Sequence, residues 1–214
     1  MEIKGWAGGF NQVAEWIMRL AYINLLWILL TVLGLGIFGF FPATIAMFTM
    51  IRKWLLGDFE TPISRTFWRT YKKEFIKGNV LGMLLIIIGI ILYVDVKFFQ
   101  SQSGILYWVL SCFSIVLLYM YLLTVLFFFP VFVHFELKTM QYMKHAFLFM
   151  VTKPIGTVMI VIGIFGASYL LMLVPGLIPF FGASFPALVI MWFAYRKFKL
   201  IVPVTSRSLS QYVD

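Results

Sequence analysis

The residues of this sequence with the most capacity for chemistry are His134, His145, Glu136 and Cys112. Catalysis needs a placed acid, base, nucleophile or metal. The two histidines stand eleven positions apart, and neither lies in an HExxH or other zinc spacing. They read as interfacial side chains that bond backbone or lipid headgroups. Glu136 follows His134 by two positions, so on a helix the two point to different sides. Cys112 is the only cysteine, which excludes an internal disulfide and a thiolate-rich metal site; inside an apolar run it reads as a small packing residue. Gly34, Gly36 and Gly39 match GxGxxG, but within an apolar turn that no strand precedes. No catalytic residue, cofactor or metal ligand is therefore expected, and the chain reads as non-enzymatic.

The elements that carry these residues are set by composition. Hydrophobic residues make up 63% of the chain and charged ones 12%, with a mean hydropathy of +1.00. Soluble domains hold roughly 45–50% apolar and about 25% charged residues, so this chain is built for lipid. Apolar runs at 80–94, 105–133 and 155–174 approach or exceed the ~20 residues that cross a bilayer as helix. The expected fold is all-α, one integral membrane domain over 1–214. Residues 1–19 carry Glu2, Lys4, Glu15 and Arg19 and lack a compact apolar core, which predicts a retained segment, not a cleaved signal peptide.

Lysine and arginine predict the orientation, because short cationic segments stay cytoplasmic. Arg52 to Lys77, then Lys138, Lys144 and Lys153, then the tail from Arg196 to Arg207 hold most cations, whereas Lys97 stands alone between the apolar runs that flank it. If residues 20–51 formed one helix it would be ~48 Å long, too long for a ~30 Å hydrocarbon core. A break at GLGIFGFF resolves this: the glycines permit a turn and Pro42 can open a new helix. Six spans follow, at about 16–33, 42–56, 80–96, 105–129, 155–174 and 177–195, with both termini cytoplasmic. Five spans, with the N-terminus outside, is the alternative.

FPATIAMFTMIRK from Phe41 and FPALVIMWFAYRK from Phe185 share Phe, Pro, Ala, Met, Arg and Lys at one constant offset. Pro42 and Pro186 suit first helical turns, Ala43 and Ala187 leave space for close packing, and Arg52, Lys53, Arg196 and Lys197 lie ~15–17 Å deeper, in reach of cytoplasmic phosphates. The repeat reads either as membrane-anchoring grammar or as a duplication framing a central path. A looser third copy, Phe129-Pro130, reads as a kink or exit.

Between residues 61 and 77, Thr61 can cap a helix and Pro62 can start it. Ile63, Phe67, Tyr71 and Phe75 then form one face with Trp68 beside it, and Arg65, Arg69, Lys72 and Lys73 form the other. This predicts an amphipathic cytoplasmic helix lying on anionic headgroups or docking a partner. Cations alternating with an apolar stripe next to a span do not suit nucleic acid. TMQYMKHAFLFM, from Thr139, is a second, weaker amphipathic segment. The spans hold Asn24, Thr31, Ser111, Ser114, Thr124 and Ser168 among their polar side chains, with Asp95 and Lys97 at an external helix end, so proton coupling lacks an obvious carrier.

At INLLW, then GFFPATIAMFTMIRKWLLGD, then FWRTYKKEFIKGNVLG, the chain resembles the YesL family of bacterial membrane proteins, a domain of unknown function (624). Asn24, Leu25, Trp27, Pro42, Ala43, Thr44, Arg52, Lys53, Trp54 and residues 67–78 carry the likeness. The resemblance implies a plasma-membrane protein encoded beside carbohydrate uptake systems of the ATP-binding-cassette type, and hence an accessory role in sugar import. It assigns no catalytic residue. In that reading the chain is a scaffold that contacts anionic lipid and a sugar permease, Asn24 and Trp27 anchor helix packing, and Arg52 and Lys53 set depth. The alternative is a small facilitator for a saccharide or lipid-like solute, which a polar cavity near Asn24, Thr31 and Ser168 would favour over a dry core. Homo-oligomerisation is left open.

Overall fold

The computed structural model describes residues 6–137, 141–152 and 154–198, with side chains from Gln12 to Arg196. Among these residues there is no strand. Nine helices follow in order: α1 (Trp6–Leu33), α2 (Ile37–Leu55), α3 (Ile63–Lys73), α4 (Phe75–Ser101), α5 (Ile105–His134), α6 (Gln141–Thr152), α7 (Pro154–Leu173), α8 (Ile178–Phe181, after a 3₁₀ turn at Pro175–Leu177) and α9 (Ser184–Phe198).

Three helix pairs make the bundle, α1 with α2, α4 with α5, and α7 with α9. The second helix of each pair turns inward, so that α2, α5 and α9 pack on one another while α1, α4 and α7 stand outside. α2 is the central helix, with every residue from Phe41 to Phe48 buried. The sequence repeat has its physical meaning here. Ala43, Met47 and Met50 of α2 and Ala187, Met191 and Ala194 of α9, spaced by four and then three residues, are all buried, which is one helical face used twice. Small and flexible side chains on that face let two helices meet closely.

GLGIFGFF is the expected reversal. Leu35 and Gly36 adopt left-handed backbone (φ 57° and 76°) between α1 and α2. Gly34 and Gly39 then face each other so closely that a Cβ on Gly34 would lie 2.4 Å from the Gly39 Cα. The helix boundary differs from expectation. α2 begins at Ile37, and Pro42 lies inside it, not at its first turn. Proline leaves the carbonyl four residues earlier without its helical donor, and that carbonyl belongs to Phe38. Asn79 Nδ2 donates to it at 2.9 Å. Gly78 and Gly82 let α4 approach this point, where a Cβ on Gly82 would meet the Phe41 ring at 2.3 Å.

Other boundaries also moved. The expected helix over 177–195 is broken: α8 and its 3₁₀ turn meet α9 at 61°, and Pro186 is the third residue of α9. α5 runs through Pro130 to His134 without exit. Thr61 makes no cap to α3, whose first turn follows Pro62; its hydroxyl bonds Asp58 instead. Phe75 belongs to α4, and the apolar face of α3 is turned into the protein, with Phe67 1% and Tyr71 6% exposed against α2 and α1. The second amphipathic segment is α6, which buries Tyr142, Ala146, Phe149 and Met150; Thr139 lies outside the described residues.

Among the described residues four helices are long and apolar enough to cross a membrane, Gln12–Leu33 within α1, α4, α5 and α7, and the bent pair ending in α9 makes the number five where it is counted as one broken span. The sixth expected span, over 42–56, does not meet that measure. It carries Arg52 and Lys53 in its last turn and is enclosed by other helices. The chain is a multi-pass membrane protein.

Candidate functional site

Asn24 sits in the apolar middle of α1 and is 1% exposed. A buried amide in such a place needs partners for both its oxygen and its nitrogen. The break between α8 and α9 supplies them. The N–H groups of Ala183 and Ser184 each donate to Asn24 Oδ1 at 3.0 Å, and Asn24 Nδ2 donates to the Pro179 carbonyl at 2.7 Å. One side chain thus satisfies backbone groups on both sides of the bend, which is how an interrupted helix is tolerated at membrane depth. Pro179 and Ser184 carried no signal in the sequence that tied them to Asn24, from which they are separated by more than 150 residues.

Trp27, three residues on, begins a second polar chain. Its Nε1 donates to Thr44 Oγ1 at 3.0 Å, and Thr44 donates to the Phe40 carbonyl at 2.7 Å. Asn24 and Trp27 therefore join α1 to different neighbours, α8–α9 and α2. Pro42 and Ala43 are buried beside them. Ala187 is buried and Pro186 half-buried in the second copy. Asn79 was absent from the residues singled out in the sequence. Its signal would have been a lone amide beside Gly78 in an apolar segment, with Pro42 in need of a donor.

The cationic residues gather where α2, α5 and α9 end. Arg52 Nε donates to His134 Nδ1 at 3.4 Å, and the His134 ring lies edge-on to Tyr195. Lys53 Nζ lies 3.1 Å from Asp58 Oδ2 and donates to Thr61 Oγ1 at 3.3 Å. The Thr61 hydroxyl bond is the main cause holding the Asp58 carboxyl below its usual range, with Lys53 adding to it against an opposing effect of burial. Arg19 pairs with Glu15 and donates to the Phe59 carbonyl at 3.1 Å, closing α1 over the α2–α3 loop. Arg196 is exposed, with its guanidinium 3.7 Å from the centre of the Trp192 ring. The side chain of Lys197 lies outside the described residues, as do Lys4, Lys138, Lys153, Lys199 and Arg207.

On α3 the cations face outward. Arg65, Arg69, Lys72 and Lys73 are exposed, and Trp68, 44% exposed, lies under the Lys72 ammonium at 4.7 Å. The opposite face is locked: Tyr71 donates to the Leu30 carbonyl at 3.1 Å. α3 therefore presents a rigid cationic strip with one aromatic ring.

Two hollows stand out among the described residues, and both are peripheral. One of about 470 Å³ lies between α1, α2, α7 and α9, and the other, of about 330 Å³, lies beside Trp16, Arg19 and Phe59. Neither is lined by Asn24, Thr31 or Ser168. Among the described residues no group of three His, Cys, Asp or Glu side chains could hold a metal ion. The remaining prominent feature is the α4–α5 pair beyond Leu85. From there to Met120 no residue joins either core cluster, and Ile87, Ile90, Val94, Trp108, Phe113 and Val116 are exposed. The two helices form an apolar arm that packs on itself.

Three relatives match across most of the chain. The uncharacterized protein YteU of Bacillus subtilis (strain 168) is 39% identical over 185 residues, covering 86% of this chain and 82% of that relative. The uncharacterized proteins YesV and YesL of the same organism are 37% and 32% identical; YesV covers 86% of this chain and 89% of itself, and YesL 90% and 91%. No solved structure matches. A family model described as "Protein of unknown function, DUF624" matches residues 20–96, the stretch that holds Asn24, Trp27, Pro42, Asn79 and all of α3. With that match and relatives of this identity along nearly its whole length, the chain belongs to the DUF624 family of YesL-like proteins.

Proposed function

We propose that this protein is a non-enzymatic accessory or scaffold subunit of the bacterial plasma membrane, with both termini cytoplasmic, that associates with the permease of a carbohydrate importer of the ATP-binding-cassette type. The observation that carries the scaffold reading is the α4–α5 arm, whose apolar faces stand clear of the chain's own core between Leu85 and Met120. Helices of a membrane partner can pack there, driven by side-chain fit because lipid offers no hydrophobic gain. The cationic strip of α3 supplies a second contact, to anionic headgroups or to the cytoplasmic face of the partner. The sugar-importer identity of the partner rests on the family resemblance alone.

The surroundings of Asn24 favour this reading over a solute path. Its amide oxygen and nitrogen are both engaged by the α8–α9 break, and neither hollow is lined by it. Purification in mild detergent from cells induced for carbohydrate uptake is the test. Co-elution with a sugar permease is expected, and should be lost when Ile90 and Phe113 on the arm are both changed to Trp. Saccharide flux into liposomes containing this protein alone would overturn the proposal in favour of a facilitator.

A further inference from the structure

The hollow between the first and last helix pairs is a built groove with one charged end. Trp16 of α1 and Leu55 of α2 form one wall and Leu188 and Trp192 of α9 the other, while Gly163 of α7, packed closely against Val189 and Phe193 of α9, closes the floor. Its lining is apolar, and its volume of about 470 Å³ falls within the ~300–1,000 Å³ range of small-molecule sites. Leu188, Trp192 and Arg196 follow one another at four-residue spacing, so they share a face of α9 and rise ~6 Å per step. The apolar wall therefore ends in a guanidinium. Arg196 is exposed and makes no ion pair with a described residue, and its guanidinium carbon lies over the Trp192 ring, 3.7 Å from the ring centre. A planar cation stacked on an indole is fixed in direction while its donors stay free for an oxyanion.

We infer that this groove holds one acyl chain of an anionic phospholipid, with the headgroup phosphate on Arg196. Charge complementarity selects this occupant. A zwitterionic lipid offers the same chain but places a compensating ammonium beside the guanidinium, and a neutral solute leaves the Arg196 guanidinium without a counter-charge. Trp16 of α1 and Gly163 of α7 both line the groove, and both helices are long and apolar enough to span, so the groove lies within reach of lipid chains. The site is independent of the α4–α5 arm and of any partner protein.

Brominated lipids report on it, because bromine quenches nearby indoles and Trp16 and Trp192 line the groove. The full chain is reconstituted with chain-brominated phosphatidylglycerol or phosphatidylcholine at low mole fraction, and the Trp192 signal is isolated by difference against Trp192→Phe. Half-quenching is expected at about a fivefold lower fraction of phosphatidylglycerol, the factor for one cation near an anionic surface. Arg196→Gln should bring the two curves together with unchanged thermal stability, and Leu188→Phe should reduce quenching by both lipids. Coincident curves for the wild type, or selectivity that survives Arg196→Gln, would overturn the inference. So would a dimer in mild detergent whose groove tryptophans resist both lipids, since the occupant would then be a second copy of the chain.

Discussion

Asn79 Nδ2 lies 2.9 Å from the carbonyl oxygen of Phe38, the hydrogen bond that Pro42 has no N–H to make. Proline within a helix costs roughly 3 kcal/mol or more, in large part through this lost bond. Here a side chain from another helix replaces it, and the same contact fastens α4 to the centre of the bundle. Asn79 also donates to the Phe75 carbonyl at 2.8 Å, which ties the start of α4 to itself.

That relationship predicts a coupled pair. Asn79→Leu should destabilise the protein by about 0.5–1.5 kcal/mol, the net worth of a typical intramolecular hydrogen bond. In a Pro42→Ala background, where residue 42 regains its N–H, the same change should cost clearly less. Thermal unfolding of the four proteins in one detergent measures the coupling, and strict additivity would refute it.

Asn24 makes three bonds to the α8–α9 break, and interhelical hydrogen bonds in membranes are worth about 0.6–2 kcal/mol each. Asn24→Leu should therefore lower stability by about 2–4 kcal/mol, and Asn24→Asp should cost less, since it retains the acceptor for Ala183 and Ser184 while losing the donor to Pro179. Proteolysis at 177–184 in detergent should speed up in the same order. Equal susceptibility of all three proteins would show that the bend holds without the clamp.

The two faces of α3 should separate cleanly. Neutralising Arg65, Arg69, Lys72 and Lys73 to Gln should leave the melting temperature nearly unchanged, because all four are exposed, while weakening association with anionic vesicles. Phe67→Ala should do the opposite, costing about 3–5 kcal/mol by opening a cavity in the core. Vesicle flotation and thermal unfolding read the two effects independently.

Asp58 predicts a small acid-sensitive contribution. Its native pKa lies below the ordinary value, so its stabilisation of the α2–α3 loop is present above about pH 4 and is lost as pH falls through the lower native value. The melting-temperature gap between wild type and Asp58→Asn should be largest near neutrality and close in acid. Because Asp58 is partly exposed, the gap should be modest. A gap that widened in acid would contradict the assigned sign.

The proposed orientation places the α4–α5 turn outside and the α2–α3 loop inside. In a Cys112→Ser background, a cysteine at Gln102 should react with an impermeant maleimide on intact cells. A cysteine at Glu60 should react only after permeabilisation. The reverse pattern would invert the map.

Composition alone determined that this chain is a helical membrane protein, since a sequence 63% hydrophobic has no soluble way to bury its side chains. Ala43 and Ala187 of the repeated segment marked two places of close helix packing, and the glycines of GLGIFGFF determined the reversal. Tertiary structure decided the rest. Periodicity says that Phe67 and Tyr71 share a face but not whether lipid or protein covers it, because both are apolar neighbours. Pro42 is held inside α2 by a partner that satisfies the carbonyl it strands. Asn79, thirty-seven residues from Pro42, is that partner, and Asn24 does the corresponding work for the break before α9. Those donors and acceptors act across helices, and no local pattern encodes them.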